Sequence, residues 1–293
     1  MHLVPTSIYQ LNLADDIIDW TYNESFIYLV YEQKKLVKCD YTRNSSQEIE
    51  LQIEPTSIFC DETYLYVGDF YGQIRLYDPN TLLEVKEVDV TDFKGPSRRE
   101  ITQFSSTHHH LFCNSVENGV IIFRKPTILS YKWILIDGSE TFTSFAIHEN
   151  QVFVLTKLGE VYFLDFSVQK LIEIDPFIMS LSYIDLEYDG KYLYLATDRV
   201  IKIYTIHPSY ELENSIKYEK KISHLLKLHD ELVIVFQDGD LYTMKDKIGS
   251  INSKSKASVV WKYKFNSHIQ SQNAIKLFEL VDNHKLIEYD LTK

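Results

Sequence analysis

Apolar and polar residues alternate along this chain in short runs, and the runs come in pairs. From Tyr64 to Asp78 the sequence reads YLYVGDFYGQIRLYD. The apolar run Tyr64-Leu65-Tyr66-Val67 meets a tight turn through Asp69, Phe70, Tyr71 and Gly72. A second run, Ile74-Arg75-Leu76-Tyr77, follows and ends at Asp78. Two period-two runs joined by a turn containing Asp and Gly predict a β-hairpin. The same shape returns in YLVYEQKKLVKCD ending at Asp40, LFCNSVENGVIIFRK ending at Lys125 and VFVLTKLGEVYFLD ending at Asp165. It returns again in YLYLATDRVIKIYT ending at Thr205, LVIVFQDGDLYTMKD ending at Asp246 and FELVDNHKLIEYD ending at Asp290.

In each hairpin the second run has its first apolar residue at Leu36, Ile74, Val120, Val161, Ile201, Leu241 or Leu286. A recurrence near forty residues, each unit built from strands, is the sequence mark of a β-propeller. The expected architecture is all-β, a single seven-bladed domain over residues 1–293. Its blades are placed at 14–53, 54–90, 101–136, 141–175, 180–220, 221–266 and 272–293. The last unit stops too soon to contain its own outermost strand, and an unpaired edge invites aggregation. The run Ser7 to Leu13 is expected to pair into that last blade and close the ring. The first outer strand is expected near Glu48 to Ile53. The segment Lys247 to Ser258 reads as an exposed loop, followed by an outer strand from Val259 to Phe265.

Composition sharpens the class. Aromatic strand formers are plentiful, with 21 Tyr and 16 Phe, against 9 Gly and 7 Pro, and helical periodicity is hard to find. A formal net charge of −12 argues against DNA or RNA binding through a general basic field. Apolar runs are far shorter than the roughly twenty residues that span a bilayer as a helix, so no membrane partner is expected. The amino terminus shows no secretory signal pattern. The three cysteines, Cys39, Cys60 and Cys113, stand singly in strand contexts, as buried apolar residues of a reducing compartment do. The expected location is intracellular, in cytoplasm, nucleus or both.

Candidate chemistry is sparse. His108-His109-His110 falls at a turn, where successive side chains splay apart, and metal ligands need separation and a supporting shell. Arg98-Arg99 lies in the polar loop TDFKGPSRRE. There is no Gly-rich phosphate loop, no nucleophile elbow and no Cys pair at metal spacing. No cofactor, metal or catalytic residue is expected, and the protein reads as non-catalytic.

The hairpins resemble the end of a WD40 repeat, in which a turn with Asp and Gly precedes a strand closed by an aromatic-Asp pair. Tyr77-Asp78 and Tyr289-Asp290 fit, and Cys39-Asp40 and Leu164-Asp165 fit partly, although no repeat ends in Trp-Asp. Two finer resemblances follow. Val120 to Pro126, Thr156 to Phe166 and Ala196 to Ile203 are similar to blades of the non-catalytic WD-repeat subunit of tRNA (guanine-N7) methyltransferase, where Lys157, Gly159, Val161, Tyr162, Asp198 and Arg199 match. Asp16 to Asp19, with Tyr66-Val67-Gly68, Gly72 and Ile74, is similar to the checkpoint propeller that binds kinetochore and nuclear-pore peptides. That family's gripping Trp residues are absent here.

In WD40-like rings the turns between second and third strands share one mouth, a common platform for macromolecular partners. The resemblance therefore implies a partner-binding surface of Phe70, Tyr71, Lys157, Asp198, Arg199 and His284. Two consecutive aromatics in a tight turn cannot both point inward, and exposed aromatics are favoured anchors. The expected function is a scaffold subunit that binds a protein partner. The alternative is an accessory subunit of a tRNA methyltransferase, touching tRNA only indirectly.

Overall fold

The computed structural model describes residues 2–10, 17–23, 25–40, 43, 45–89, 100–106, 110–115, 119–125, 131–134, 142–148, 151–165, 170–173, 183–206, 210–228, 231–244, 247–250, 275–281 and 285–292. The regular elements among them are all strands. In chain order these are β1 (His2–Gln10), β2 (Ile17–Tyr22), β3 (Phe26–Tyr31), β4 (Lys35–Asp40), β5 (Ser45–Glu50), β6 (Pro55–Cys60), β7 (Leu65–Asp69), β8 (Gln73–Tyr77) and β9 (Glu84–Asp89). Then come β10 (Ile101–Ser106), β11 (His110–Ser115), β12 (Gly119–Arg124), β13 (Tyr131–Ile134), β14 (Phe142–His148), β15 (Gln151–Thr156), β16 (Val161–Asp165), β17 (Lys170–Glu173) and β18 (Asp185–Tyr188). The last are β19 (Tyr192–Ala196), β20 (Val200–Thr205), β21 (Glu211–Lys217), β22 (Ile222–Leu228), β23 (Glu231–Phe236), β24 (Asp240–Thr243), β25 (Lys247–Ser250), β26 (Ile275–Val281) and β27 (Lys285–Thr292).

The chain divides into two compact units. Met1–Ser105, Cys113–Val116 and Lys254–Lys293 form the first, and Ser106–Phe112 with Glu117–Ser253 form the second. The first unit holds the sheets β2-β3-β4-β5, β6-β7-β8-β9 and β1-β27-β26. The second holds β14-β15-β16-β17, β18-β19-β20-β21 and β22-β23-β24-β25. The division falls within the remaining sheet, β10-β11-β12-β13. The strand pairs with a determined register are antiparallel, as β3 with β4 from Phe26↔Asp40 to Tyr31↔Lys35.

Among the described residues burial falls from second to outer strands, and the residue types follow it. Second strands are covered on both faces and read as continuous apolar runs, as in β3 (FIYLVY) and β15 (QVFVLT), each buried after its first residue. Third strands alternate: in β20, Ile201 and Ile203 are buried while Val200 and Lys202 are only partly so. The outer strands β5 and β21 are exposed at nearly every position, which is why they carry Ser, Gln, Asn and Glu. Adjacent sheets of the first unit bury Tyr28, Val30 and Leu36 against Ile58, Leu65, Val67 and Tyr77. In the second unit Phe153 and Leu155 pack with Leu186, Tyr188, Leu193 and Leu195.

Two local devices repeat. In the turns between first and second strands, Asp61 accepts from the backbone N–H groups of Thr63 and Tyr64 at 2.8 and 2.9 Å and from the Tyr66 hydroxyl at 3.0 Å. Asp189 does the same for Lys191, Tyr192 and the Tyr194 hydroxyl at 2.8, 2.7 and 2.7 Å. Asn23 accepts from Ser25 and Phe26 and donates to the Tyr28 hydroxyl. Short carboxylates and amides suit such turns because they satisfy backbone donors locally.

The second device joins neighbouring sheets. First strands β2, β6, β14 and β22 each carry a bulge, with register shifts at Ile17/Asp19, Pro55/Ser57, Phe142/Ser144 and Ile222/His224. Asp19 Oδ2 accepts from Ile58 N at 2.9 Å, and Ser57 Oγ donates to the Ile101 carbonyl at 2.7 Å. In the second unit Ser144 Oγ donates to Asp185 Oδ1 at 2.7 Å, while Asp185 Oδ2 accepts from Leu225 N at 2.8 Å. A bulge frees backbone groups from the ladder. Thr143 recovers one by donating its hydroxyl to the Leu155 carbonyl at 3.2 Å, while the Thr56 hydroxyl faces both the Ile101 carbonyl at 2.7 Å and that of Gly68 at 3.2 Å.

Several expectations need correction. The amino-terminal strand does pair with the last hairpin, in a register from His2↔Thr292 to Gln10↔Lys285. It spans His2–Gln10 rather than residues 7–13, and 11–13 lie outside the described residues. The first outer strand is Ser45–Glu50, not Glu48–Ile53, because Leu51 and Ile53 leave the strand to be buried. Lys247–Ser250 is the outer strand β25, not a loop; its Lys, Gly and Ser are the residue types that read as loop, and the rest of that expected loop, 251–258, lies outside the described residues. The strand expected from Val259 to Phe265 lies outside the described residues.

Candidate functional site

The turn between β7 and β8 is built on a buried acid. Asp69 is 1 % exposed, and its Oδ1 accepts from the backbone N–H groups of Tyr71 and Gln73 at 2.9 and 2.6 Å. Burial raises its carboxyl above the usual range, against the opposing pull of these backbone donors. Gly72 completes the turn at φ 91°, a left-handed conformation that side chains resist. Phe70 N–H donates to the Glu54 carbonyl at 3.2 Å. With its backbone fixed at both ends, the turn leaves Phe70 half-buried and Tyr71 55 % exposed. The two rings meet edge to face at 5.5 Å and 83°. Beside them Lys34 pairs with Glu54 at 3.3 Å.

In the second unit, the turn after β15 holds Thr156, whose hydroxyl accepts from Glu160 N at 3.1 Å. Lys157 and Leu158 are exposed at its tip, Leu158 by 46 %. The turn after β19 presents Asp198 and Arg199, paired at 3.9 Å. Arg199 is partly committed to the fold, since its guanidinium donates to the Glu219 carbonyl at 2.7 Å and its own carbonyl accepts from Tyr218 N. Farther along, Lys220 bridges Asp238 and Asp240, and the bond from Lys220 holds the Asp238 carboxyl below its usual range.

Of the six expected residues, Phe70 and Tyr71 thus form one contact pair in the first unit, and Asp198 and Arg199 another in the second. Lys157 stands on its own turn, and His284 lies outside the described residues, as do Arg98, Arg99, His108 and His109. The sequence reading passed over Leu158, whose apolar side chain at a turn tip was the available signal. Among the described residues no group of His, Cys, Asp and Glu is placed to hold a metal ion. Ser144, Asp185 and His224 form a polar chain, with His224 Nδ1 3.8 Å from Asp185 Oδ2. The serine hydroxyl donates its hydrogen bond to the carboxylate, which also accepts from Leu225 N, so the group ties neighbouring sheets together.

No family model matches the sequence, and no curated protein matches it. Solved structures do match. A chain of the mitotic checkpoint complex aligns at TM-score 0.69 and 12 % identity over 99 % of this chain and 92 % of its own. BamB from Moraxella catarrhalis aligns at TM-score 0.63 and 10 % identity over 99 % and 100 %, and the computationally designed Ika8 protein at 0.61 and 13 % over 96 % and 98 %.

The fold is that of a β-propeller. Each described four-stranded sheet is accordingly a blade, and Phe70, Tyr71, Lys157, Asp198 and Arg199 sit on turns between the second and third strands of their blades. Asp78 and Asp40, which close third strands, bond to backbone as turn formers. Asp78 accepts from Asn80 and Thr81 N–H groups, both at 2.8 Å, and Asp40 from Arg43 N at 3.0 Å.

Proposed function

We propose that this propeller is a non-catalytic, intracellular scaffold that binds a protein partner through a turn surface, with Tyr71 as its principal anchor. The observation that carries the reading is the exposure of Tyr71 on a turn whose backbone is held by a buried carboxylate. A large ring presented on a rigid support gives up little entropy on binding, and tyrosines of this kind dominate interface energies. The fold adds support, since one structural neighbour is a chain of a multiprotein complex. In the second unit, Leu158 and Lys157 present a separate turn of similar character. Arg199 contributes less, being engaged with Glu219.

Retention of partners from cell extract by the tagged intact chain, compared with a Tyr71→Ala variant and read by mass spectrometry, tests this. Loss of the specifically retained protein with an unchanged thermal midpoint is expected, because Tyr71 is largely solvated. Equal retention by both forms refutes the reading. The identity of the retained protein separates the two roles: a methyltransferase would favour the accessory-subunit alternative suggested by Lys157, Gly159, Asp198 and Arg199.

A further inference from the structure

The loop that joins β8 to β9, residues 78–83, is closed by its own backbone. Asp78 N–H donates to the Leu83 carbonyl and Leu82 N–H to the Asp78 carbonyl, both at 2.9 Å, and Asp78 Oδ1 accepts from the Thr81 hydroxyl at 3.1 Å. The neighbouring blade of the same unit, β2-β3-β4-β5, grips this loop from outside. Tyr28, Lys38 and Gln47 stand directly opposite one another in the registers of β3 with β4 and β4 with β5, so they form one row on one face of that blade. The Tyr28 hydroxyl donates to the Pro79 carbonyl at 2.9 Å, the Lys38 ammonium to the Asn80 carbonyl, and the Gln47 amide to the Thr81 carbonyl at 3.2 Å. Three donors from three strands thus take three successive carbonyls. Leu82, the next residue, is held at φ 58°, a left-handed conformation that costs a leucine energy. Its side chain is 2 % exposed in the core shared by the two blades, whereas Leu83 beside it is 68 % exposed.

We propose that the loop 78–83 is a strap that opens without unfolding either blade, and that the row of Tyr28, Lys38 and Gln47 is the clasp that keeps it shut against the strain at Leu82. The ladder of β8 with β9, from Gln73↔Asp89 to Tyr77↔Glu84, needs none of the three bonds. Opening therefore breaks only the clasp and lifts Leu82 from its core, while the strained φ is released; local openings of this kind involve few contacts. Leu82 then comes out beside Leu83, and the rim of the blade turns from polar to apolar. Lys38 is the sensitive member. It is 8 % exposed, its ammonium lies 3.9 Å from the Phe26 ring centroid, and burial lowers its pKa from the ordinary lysine value against the pull of Asp78 and Asp40. A charge kept in that setting contributes little to overall stability, so its bond to Asn80 acts on the position of the strap.

The test is hydrogen–deuterium exchange of the intact chain, read by mass spectrometry on the peptide that covers residues 78–85. Lys38→Met is expected to speed exchange of that peptide roughly tenfold. Peptides from β3 and β7 are expected to be unchanged, with the thermal midpoint within about 2 °C of the parent's. Gln47→Ala, which removes the exposed member of the row, is expected to give a smaller rise of about threefold in the same peptide and decides the matter should Lys38→Met fail to fold. Tyr71→Ala, at the other end of β8, is expected to leave the strap's exchange as it is, which separates this device from the scaffold surface proposed above. A strap without protection in the parent overturns the proposal, as does unchanged exchange in both variants. Acceleration shared equally by β3 and β7 overturns it too, since the row would then be an ordinary support of the fold.

Discussion

Replacing Asp185 by alanine removes a link between three consecutive blades of the second unit. The carboxylate is 13 % exposed and accepts from the Ser144 hydroxyl at 2.7 Å, the Leu225 N–H at 2.8 Å and its neighbour Leu186 N–H at 2.9 Å. Hydrogen bonds to a charged group contribute about 1.5–3 kcal/mol each, and truncation leaves the donors without this acceptor. Counting only the two bonds to other blades, the expected loss is about 3–6 kcal/mol, a large share of the roughly 5–15 kcal/mol that holds a domain together. In a chain of this size that lowers the thermal midpoint by roughly 6–12 °C. Asparagine behaves differently. Its Oδ1 can keep Leu225, while its amide donates to Ser144, whose hydroxyl turns to accept, so both inter-blade bonds survive and only the local one from Leu186 N–H is lost. Asp185→Asn is therefore expected to lose less than half as much as Asp185→Ala. Urea and thermal unfolding of both variants, with Ser144→Ala to close a double-mutant cycle, measure this directly. A loss below about 1 kcal/mol for the alanine variant, or equal losses for alanine and asparagine, would refute the assignment of these bonds as inter-blade ties.

Three further outcomes are expected. A Cβ at Gly68 would lie 2.6 Å from Ile101 Cβ and Cγ2 and 2.9 Å from Ser57 Oγ, so Gly68→Ala should cost about 1–3 kcal/mol of overpacking in urea unfolding. Asp69 is held above the usual carboxylate range chiefly by burial, so its ionised form costs folding energy at neutral pH, and that cost disappears as pH falls through the raised value. Asp69→Asn, which keeps the acceptor, should match or exceed the parent's stability at pH 7, with the gap closing near pH 4; a stability deficit at pH 7 would contradict this. The opposite sign holds for Asp78 and Asp238, whose lowered values contribute stability above the unfolded carboxylate range that is lost in acid. Deleting residues 1–10 removes the whole strand paired with β27 and exposes that edge, so calorimetry should show a midpoint lower by more than about 5 °C.

The central hairpins were legible because both their strands carry a buried face, and alternation records it in residues such as Ile74, Leu76, Ile201 and Ile203. Outer strands were not. Ser45 to Glu48 are solvated on both sides, so nothing in their sequence marks where pairing begins, and the boundary slipped toward the apolar Leu51 and Ile53. Asp19, Ser57, Ser144 and Asp185 break the apolar rhythm of the first strands and look like noise, since the groups they bind lie about forty residues away. The exposure of Tyr71 could be reasoned from two adjacent aromatics in one tight turn. The engagement of Arg199 with Glu219 could not, because a bond to a distant backbone carbonyl leaves no trace in residue type.

The inter-blade ties make light demands on the alphabet. An aspartate serves in one blade and a serine in the next, each needing only an oxygen on a short stem, and the bulged threonines ask no more. A fold built this way can exchange nearly every letter while its scaffolding persists, which fits a chain that shares 10–13 % of its residues with the solved propellers it superimposes on.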